Sequence, residues 1–397
     1  MKKFLSTVLW MSFGFFITGT ATAQTVDALI LGAGRMDTIT RILKDKRVGL
    51  VLNQTSVLTN PTVHLLDTLL AVGIDIKKVF APEHGFRGTV EPGAHVESGV
   101  DAKTGVPIES VYGNNNRPSA SQMSDIDVLV FDIQDVGTRF YTYISTMHYL
   151  MDACAAYGKA FVVLDRPNPN DYVDGPVRQP GFESFVGVDP IPVLHGLTVG
   201  ELAQMINGEG WLTAHKQCDL TVVTMLNWKH GDLYTLPVRP SPNLPNQQAV
   251  RLYPSLCFFE GLYLSVGRGT DFPFQALGCP DPRTGSFTFT PAVMPGYDLN
   301  PMHKNTLCYG VDLREYPFEG GLSLRFVIDF YNLLGKDEKQ YFTRANWFDL
   351  LAGNSTLRMQ IVQGLSEAEI RASWQPELDQ YKEMRKKYLL YADELNN

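Results

Sequence analysis

The chain is poor in features that would make it easy to classify, and each absence excludes something. It has five cysteines (Cys154, Cys218, Cys257, Cys279, Cys308), with no C-x-x-C pair and no zinc-type spacing. Neither a disulfide framework nor a structural zinc site is expected, and the odd number leaves at least one thiol unpaired. Lys and Arg form no cluster and are outnumbered by Asp and Glu, 34 against 42, which argues against a nucleic-acid partner. No G-x-S-x-G elbow, P-loop or H-E-x-x-H occurs, which weakens esterase, NTPase and zincin readings. No internal repeat or low-complexity tract is evident.

Only one apolar run is long, from Phe4 to about Gly19, and it follows Lys2-Lys3 and precedes Ala21-Thr22-Ala23. That order of charge, apolar stretch and A-x-A reads as a secretory signal cleaved before Gln24. Ser6, Ser12 and Gly14 interrupt the run, which is short for a membrane span of ~20 residues, and no cysteine follows it for a lipid anchor. The expectation is a periplasmic or secreted protein with no stable membrane anchor. Removing Lys2 and Lys3 with the signal leaves 32 basic and 42 acidic residues, a net charge of −10. About 370 residues remain, room for two domains with proper cores.

From residue 45 to about 226 short apolar runs alternate with helical spacing. Arg47–Leu52, Ile76–Ala81, Asp127–Ile133, Ala160–Leu164 and Leu220–Leu226 read as strands, while Val63–Val72, Phe140–Tyr157 and Thr198–Ile206 read as helices. Strands apolar on both faces and alternating with helices imply an α/β fold with a parallel sheet covered on both sides. Pro and Gly thicken from 237 to 300. Beyond them we expect a strand at Leu322–Ile328, a helix at Asp329–Leu334 and two charged helices near 366–373 and 377–394. The chain therefore divides into a signal (1–23), a larger α/β domain (24–254) and a smaller C-terminal α/β domain (255–397), with the Gly/Pro-rich loops covering a cleft.

Polar residues collect where the strands of the first half end. Arg47–Leu52 leads into Asn53-Gln54-Thr55, Ile76–Ala81 into Glu83-His84 with Arg87 behind, Asp127–Ile133 carries Asp132 and leads into Gln134, Asp135 and Arg139, and Ala160–Leu164 leads into Asp165-Arg166-Pro167-Asn168-Pro169. The carboxyl ends of parallel strands lie along one edge, where ligands bind. Each member also has a structural reading. Glu83 can cap a turn or pair with Arg87, and Asp165-Arg166 can brace a loop. Asp132 in an apolar strand must be paired or catalytic. Thr198-x-x-Glu201 reads as a capping box, His64 as a satisfied surface or groove histidine, and Tyr141 and Tyr143 as platform aromatics or helix packing. Leu31-Gly32-Ala33-Gly34-Arg35-Met36 approaches G-x-G-x-x-G, but Asp37 stands where the third glycine belongs, so a dinucleotide site is discounted. Glu83, His84, Asp132 and His95 include enough donors for a metal, though no spacing demands one.

Six ordered stretches, APEHGFRG (81–88), DIQDVGTRFYTY (132–143), LDRPNP (164–169), HGLTVGE (195–201), SPNLP (241–245) and the EG…VGRGT…PF run (260–274), resemble the exo-β-N-acetylmuramidase family, formerly a domain of unknown function. The resemblance covers the chain from about Val48 onward. It implies a Rossmann-like domain followed by a smaller C-terminal domain, an active site in the cleft between them, and a glycosidase that releases terminal N-acetylmuramic acid from the non-reducing end of peptidoglycan fragments without metal or organic cofactor. The glutamate of the family's E-H-G motif matches Glu83. Glycosidic cleavage needs a carboxylic acid near the leaving oxygen, and Phe80, Pro82 and Phe86 would wall it. The second group is left as Asp132, Asp135 or the substrate's own 2-acetamido oxygen. The lactyl carboxylate of muramic acid calls for an arginine, and Arg87, Arg139, Arg166 and Arg268 are the candidates. His84 and His195 are assigned to sugar hydroxyls and Tyr141 or Tyr143 to ring stacking, with Asn53, Gln134 and Asn243 as further substrate-binding residues. Two other readings stay open: a non-catalytic cell-wall sugar-binding protein and a metal-dependent hydrolase.

Overall fold

The computed structural model describes residues 28–59, 62–87, 98–113, 116–213, 216–318 and 320–393. The signal at 1–23 and His95 lie outside them. Among the described residues no helix is long and apolar enough to cross a membrane.

Five apolar runs of the first half do form strands, and they assemble into one seven-stranded sheet in the order Asp219–Val223, Ala160–Leu164, Val128–Asp132, Val48–Leu52, Ile76–Ala81, Pro107–Ser110, Gly99–Val100. All neighbours pair in parallel except the last two. Strand side chains alternate in direction, so each face collects every second residue. Val51, Phe80, Leu129, Phe131, Phe161 and Val163 enter one core, and Leu50, Leu52, Val79, Val128, Val130 and Val162 the other. The second core is closed by Ile39 and Leu43 of the helix Met36–Leu43 and by Leu65, Leu66 and Leu69 of the helix Leu65–Ala71. The first is closed by the helix Tyr143–Tyr157, which ends at Gly158 with φ +64, as its glycine predicts.

That first core does not stop where the C-terminal part begins. It runs on through Phe258, Phe259, Val327, Phe330, Phe348, Trp374 and Tyr381 as one buried cluster. The division expected after residue 254 falls inside the helix Gln247–Leu256. The C-terminal part adds a three-stranded antiparallel sheet (Ala276–Cys279, Cys308–Asp312, Phe287–Phe289) and five helices. Leu322–Ile328, read as a strand, is instead the entry to the helix Arg325–Leu333, whose buried Val327, Phe330 and Tyr331 follow helical spacing. The two charged helices near the end are one, Glu367–Arg385. Pro376 lies within it, but Pro376 and Ala372 are both exposed, so the lost i→i−4 bond falls on the solvent side.

The Gly32 motif has a packing role. A Cβ there would lie 2.4 Å from the Asp165 nitrogen and the Val223 oxygen, and the Gly32 N–H donates to the Asp165 carbonyl at 2.9 Å. The expected capping box at Thr198 and Glu201 is present. His64 caps its helix by accepting from the Leu66 N–H.

The chain's end is clasped onto the large sheet by a buried ionic cluster. His230 places Nδ1 2.9 Å from Asp171 and Nε2 3.0 Å from Glu201, so both nitrogens donate and the ring is an imidazolium. Glu201 also accepts from the Leu390 N–H, Tyr391 donates to Asp165 at 2.6 Å, and Arg385 pairs with Asp393 while donating to the Gly196 carbonyl at 2.7 Å. Burial opposes the charge on His230, but Asp171 and Glu201 outweigh it and raise the imidazole to about 9. Burial raises Asp165 to about 6, with Tyr391 working against it.

Both shifts predict the same slope. A histidine held above its ordinary value of 6.5 contributes stability that is complete below 6.5 and lost as pH rises through about 9. An aspartate held at about 6 contributes most when protonated, and that contribution is gone above pH 6. Thermal unfolding followed from pH 6 to 9.5 should lose at most about 3 kcal/mol from His230. His230→Gln should be less stable at pH 6 and show a flatter decline. An unchanged slope in the variant would refute the imidazolium assignment.

Candidate active site

A cavity of about 960 Å³ opens at the carboxyl edge of the large sheet. The strands Val48–Leu52 and Val128–Asp132 sit side by side in the sheet, and their successors run outward in opposite directions. Such a reversal of strand order leaves a crevice in which ligands bind. The far wall comes from residues 241–274, 298–304 and 344–351.

Glu83 stands at the near wall. It follows Ile76–Ala81 in a tight turn closed by the Gly85 N–H on the Pro82 carbonyl at 2.9 Å. His84 in that turn has φ +69, a conformation that costs a non-glycine residue about 1–2 kcal/mol and persists only where the surroundings impose it. The turn presents both Glu83 and His84 to the cavity. Tyr112 donates to Glu83 Oε1 at 2.8 Å and Thr142 to Oε2 at 2.6 Å. Thr142 is the residue before the helix Tyr143–Tyr157, so the carboxylate lies beside that helix's positive end. Phe140, Tyr141, Tyr143 and Phe185 complete this side. Phe80 and Phe86, expected to wall the acid, are instead buried in the cores, and Phe86 packs on His64 with ring centroids 5.1 Å apart.

The opposite wall is charged. Arg268 pairs with Glu260 at 2.5 Å and lies over the Phe274 ring at 5.1 Å. Burial disfavours the Arg268 charge, but Glu260 and Asp298 more than restore it and its pKa is raised. Lys304 and Arg344 are exposed at the same wall, Arg344 over the Trp347 ring at 5.3 Å. The cavity thus sets the Glu83 carboxylate, held by two hydroxyls, against a wall that bears three cations and the acids Glu260 and Asp298. It can transfer a proton at Glu83 and hold an anionic group at some distance from it.

Of the site residues read from sequence, Glu83, His84, Tyr141, Tyr143, Asn243 and Arg268 line this cavity, and eight others do not. Asp132 is not free for catalysis: it forms a two-pronged ion pair with Arg166, at 2.6 and 2.9 Å, and both are buried. The same pair removes Arg166 from the candidates for the lactyl group. Arg139 is spent on three carbonyls, of Pro176, Ile191 and Leu351, at 2.7–2.9 Å. Arg87 pairs with Asp101 at 2.6 Å outside the cavity. Asp135 lies behind Tyr141, accepting from the Gly137 N–H at 2.6 Å and facing His195 Nε2 at 3.4 Å. His195 is fully buried, its Nδ1 accepting from Leu197. Asn53 is held by Thr55, and Gln134 donates to the carbonyls of Asp135 and Pro167. Arg87 is exposed, and the other seven, all buried, share one cause. A carboxyl edge buried beneath loops has its own polar atoms to satisfy before any ligand's.

The sequence reading missed Tyr112, Thr142, Glu260, Asp298, His303, Lys304, Arg344 and Trp347. Thr142 and Glu260 sat inside stretches already singled out. Tyr112 follows a strand, Pro107–Ser110, too short and polar to be noticed. The rest come from C-terminal loops and the start of the helix Ala345–Ala352, with no local pattern. Among the described residues no three His, Cys, Asp or Glu side chains converge as a metal site would require.

Comparison with known proteins identifies the family. Residues 48–248 match the model of the exo-β-N-acetylmuramidase NamZ N-terminal domain, and residues 251–391 that of its C-terminal domain. The peptidoglycan β-N-acetylmuramidase NamZ of Bacillus subtilis (strain 168) is 41% identical over 374 residues, 88% of each chain. Two crystal structures of DUF1343 family proteins from Bacteroides fragilis NCTC 9343 superpose with TM-scores of 0.84 and 0.80. They are 44% and 30% identical, cover 92% of this chain, and are covered over 100% and 99% of their own length.

The ion pair yields a direct prediction. Asp132→Asn or Arg166→Met alone strands a buried charge or donor and should lower unfolding free energy by about 3–5 kcal/mol. The double replacement Asp132→Leu with Arg166→Met should recover a large part of that in chemical denaturation. Single variants as stable as wild type would show that the pair is not structural.

Proposed function

The chain belongs to the exo-β-N-acetylmuramidase NamZ family, and we propose that it is a glycoside hydrolase that removes terminal β-linked N-acetylmuramic acid from the non-reducing end of peptidoglycan fragments, with Glu83 as general acid. The observation that carries this is the Glu83 carboxylate, held by Tyr112 and Thr142 at one wall of a cavity whose other wall bears Arg268, Lys304 and Arg344. A glycosidic oxygen placed at Glu83 receives its proton as the bond to the anomeric carbon breaks. Tyr112 and Thr142 fix the carboxyl, and the aromatic wall of Phe140, Tyr141 and Tyr143 suits the apolar face of a sugar ring.

The feature that separates muramic acid from glucosamine is the lactyl carboxylate. Arg268 is the cation we assign to it, because it alone of the sequence candidates lines the cavity and Glu260 fixes its fork. Family relationship and the paired walls support hydrolysis over simple sugar binding. The basic n-region, the apolar run and Ala21-Thr22-Ala23 support export to the periplasm or beyond.

Wild type should hydrolyse para-nitrophenyl β-N-acetylmuramic acid glycoside and leave the N-acetylglucosamine glycoside nearly untouched. Glu83→Gln should reduce kcat on the muramic compound by about 100-fold or more while leaving the melting profile intact. Binding without turnover by a folded wild type would overturn the assignment. Arg268→Lys, which keeps the charge and loses the fork, should lower kcat/KM on the muramic compound by about tenfold. Equal activity on the two glycosides in wild type would remove the need for a lactyl site. Mass spectrometry of the exported protein should find Gln24 at the amino terminus; a retained Met1 would refute cleavage.

A further inference from the structure

Among the described residues, three polar atoms of the cavity wall are buried without a hydrogen-bond partner: the Tyr141 hydroxyl, Asn243 Oδ1 and, on the far wall, Trp347 Nε1. Tyr141 is 7% exposed, and its hydroxyl has the Ser241 and Tyr143 hydroxyls beside it but no hydrogen bond of normal geometry to either. Asn243 is 3% exposed, and its Nδ2 donates to the Tyr297 carbonyl at 3.0 Å. That bond fixes the orientation of the amide and leaves Oδ1 as an acceptor with nothing to accept. Ser241 and Asn243 belong to one turn, closed by the Leu244 N–H on the Ser241 carbonyl at 3.2 Å, so the turn that carries Asn243 passes beside the Tyr141 hydroxyl. Both Tyr141 and Asn243 line the cavity that holds Glu83.

Native proteins seldom leave buried hydrogen-bonding atoms unpaired, and where they do, a ligand or an ordered water is the usual reason. The Tyr141 and Asn243 atoms differ in kind. Burial and the nearby Asp135 carboxylate keep the Tyr141 phenol protonated, so its hydroxyl can donate. Asn243 Oδ1 can only accept. A secondary amide has the complementary pair: a carbonyl oxygen on one side and an N–H on the other. Gripping both sides requires residues from two chain segments, and Tyr141 precedes the helix Tyr143–Tyr157 while Asn243 lies in the loop before Gln247–Leu256.

We propose that Tyr141 and Asn243 form a clamp for the 2-acetamido group of the terminal sugar, the Tyr141 hydroxyl donating to its carbonyl oxygen and Asn243 Oδ1 accepting from its N–H. The inference rests on the exo-muramidase reading and adds the residues that recognise position 2.

The test compares para-nitrophenyl β-N-acetylmuramic acid glycoside with its analogue carrying a hydroxyl in place of the acetamido group and the lactyl group retained. Wild type should favour the acetamido substrate. Tyr141→Phe and Asn243→Ala should each lower kcat/KM on it by about tenfold or more, and on the hydroxyl analogue by no more than about threefold, so that the preference collapses. Melting curves and circular dichroism establish that the variants fold. Equal losses on both substrates, or an undiminished preference, would overturn the clamp. If wild type turns over neither glycoside, the exo-muramidase reading fails on its own account. The clamp is then decided by calorimetric binding of N-acetylmuramic acid against N-unsubstituted muramic acid, where the wild-type preference must again vanish in both variants for it to stand.

Discussion

The molecule depends on how the carboxyl edge of its parallel sheet is neutralised. Six strands end at that edge, and every one delivers polar atoms into a region roofed by loops and therefore largely out of water. Arg166 does most of the neutralising. It grips Asp132 with two hydrogen bonds and donates to the Val57 carbonyl at 3.2 Å, so the continuations of three neighbouring strands meet at one guanidinium. Ser56 donates to the Asp132 carbonyl at the same point. Removed from water, such a pair contributes more to fixing one arrangement than to net stability, since its desolvation cost offsets most of its attraction. The neighbouring strand, Ile76–Ala81, lies beside this knot and carries Glu83 just past its end, so the Glu83 carboxylate is placed from a backbone that the knot holds still.

This explains what could be read from the sequence and what could not. The strands were legible because burial on both faces forces unbroken apolar runs, and Ala160–Leu164 and Ile76–Ala81 were read to the residue. The edge was legible too, since parallel strands share one. Which polar residues on it face a ligand was not. Asp132 and Glu83 look alike in sequence, each an acid beside an apolar strand, yet one meets an arginine and the other two hydroxyls at an open cavity. That difference lies in the partners, which come from 34 and 59 residues away respectively in the cases of Arg166 and Thr142. The family resemblance singled out Glu83, whereas the arginines could be sorted only by their contacts.

The C-terminal part was the least legible, for a related reason. Its contributions to the cavity, Lys304, Arg344 and Trp347, come from loops and helix starts without periodicity. Its longest helix contains a proline that reads as a break and is tolerated because the lost bond faces solvent. The strand predicted at Leu322–Ile328 failed because short apolar runs do not distinguish the two periods when β-branched and aromatic residues mix.

Arg139 shows how the two halves become one site. It was read as a ligand for the substrate carboxylate, and it contacts no substrate. From the loop that leads to Tyr141 it reaches across to the Leu351 carbonyl, and Leu351 lines the cavity's far wall. Gly353, with φ +75, is packed so closely that a Cβ would come within 2.8 Å of the Arg139 guanidinium. An enzyme that takes one sugar from a chain end needs a cavity closed on the far side, and its two walls must keep their spacing for acid and cation to act on the same sugar. A continuous hydrophobic core supplies the cohesion, and Arg139 ties the acid-bearing half to the cation-bearing half beside the site. A guanidinium with three fixed carbonyl acceptors does this better than an apolar contact would, because its hydrogen bonds specify direction as well as distance.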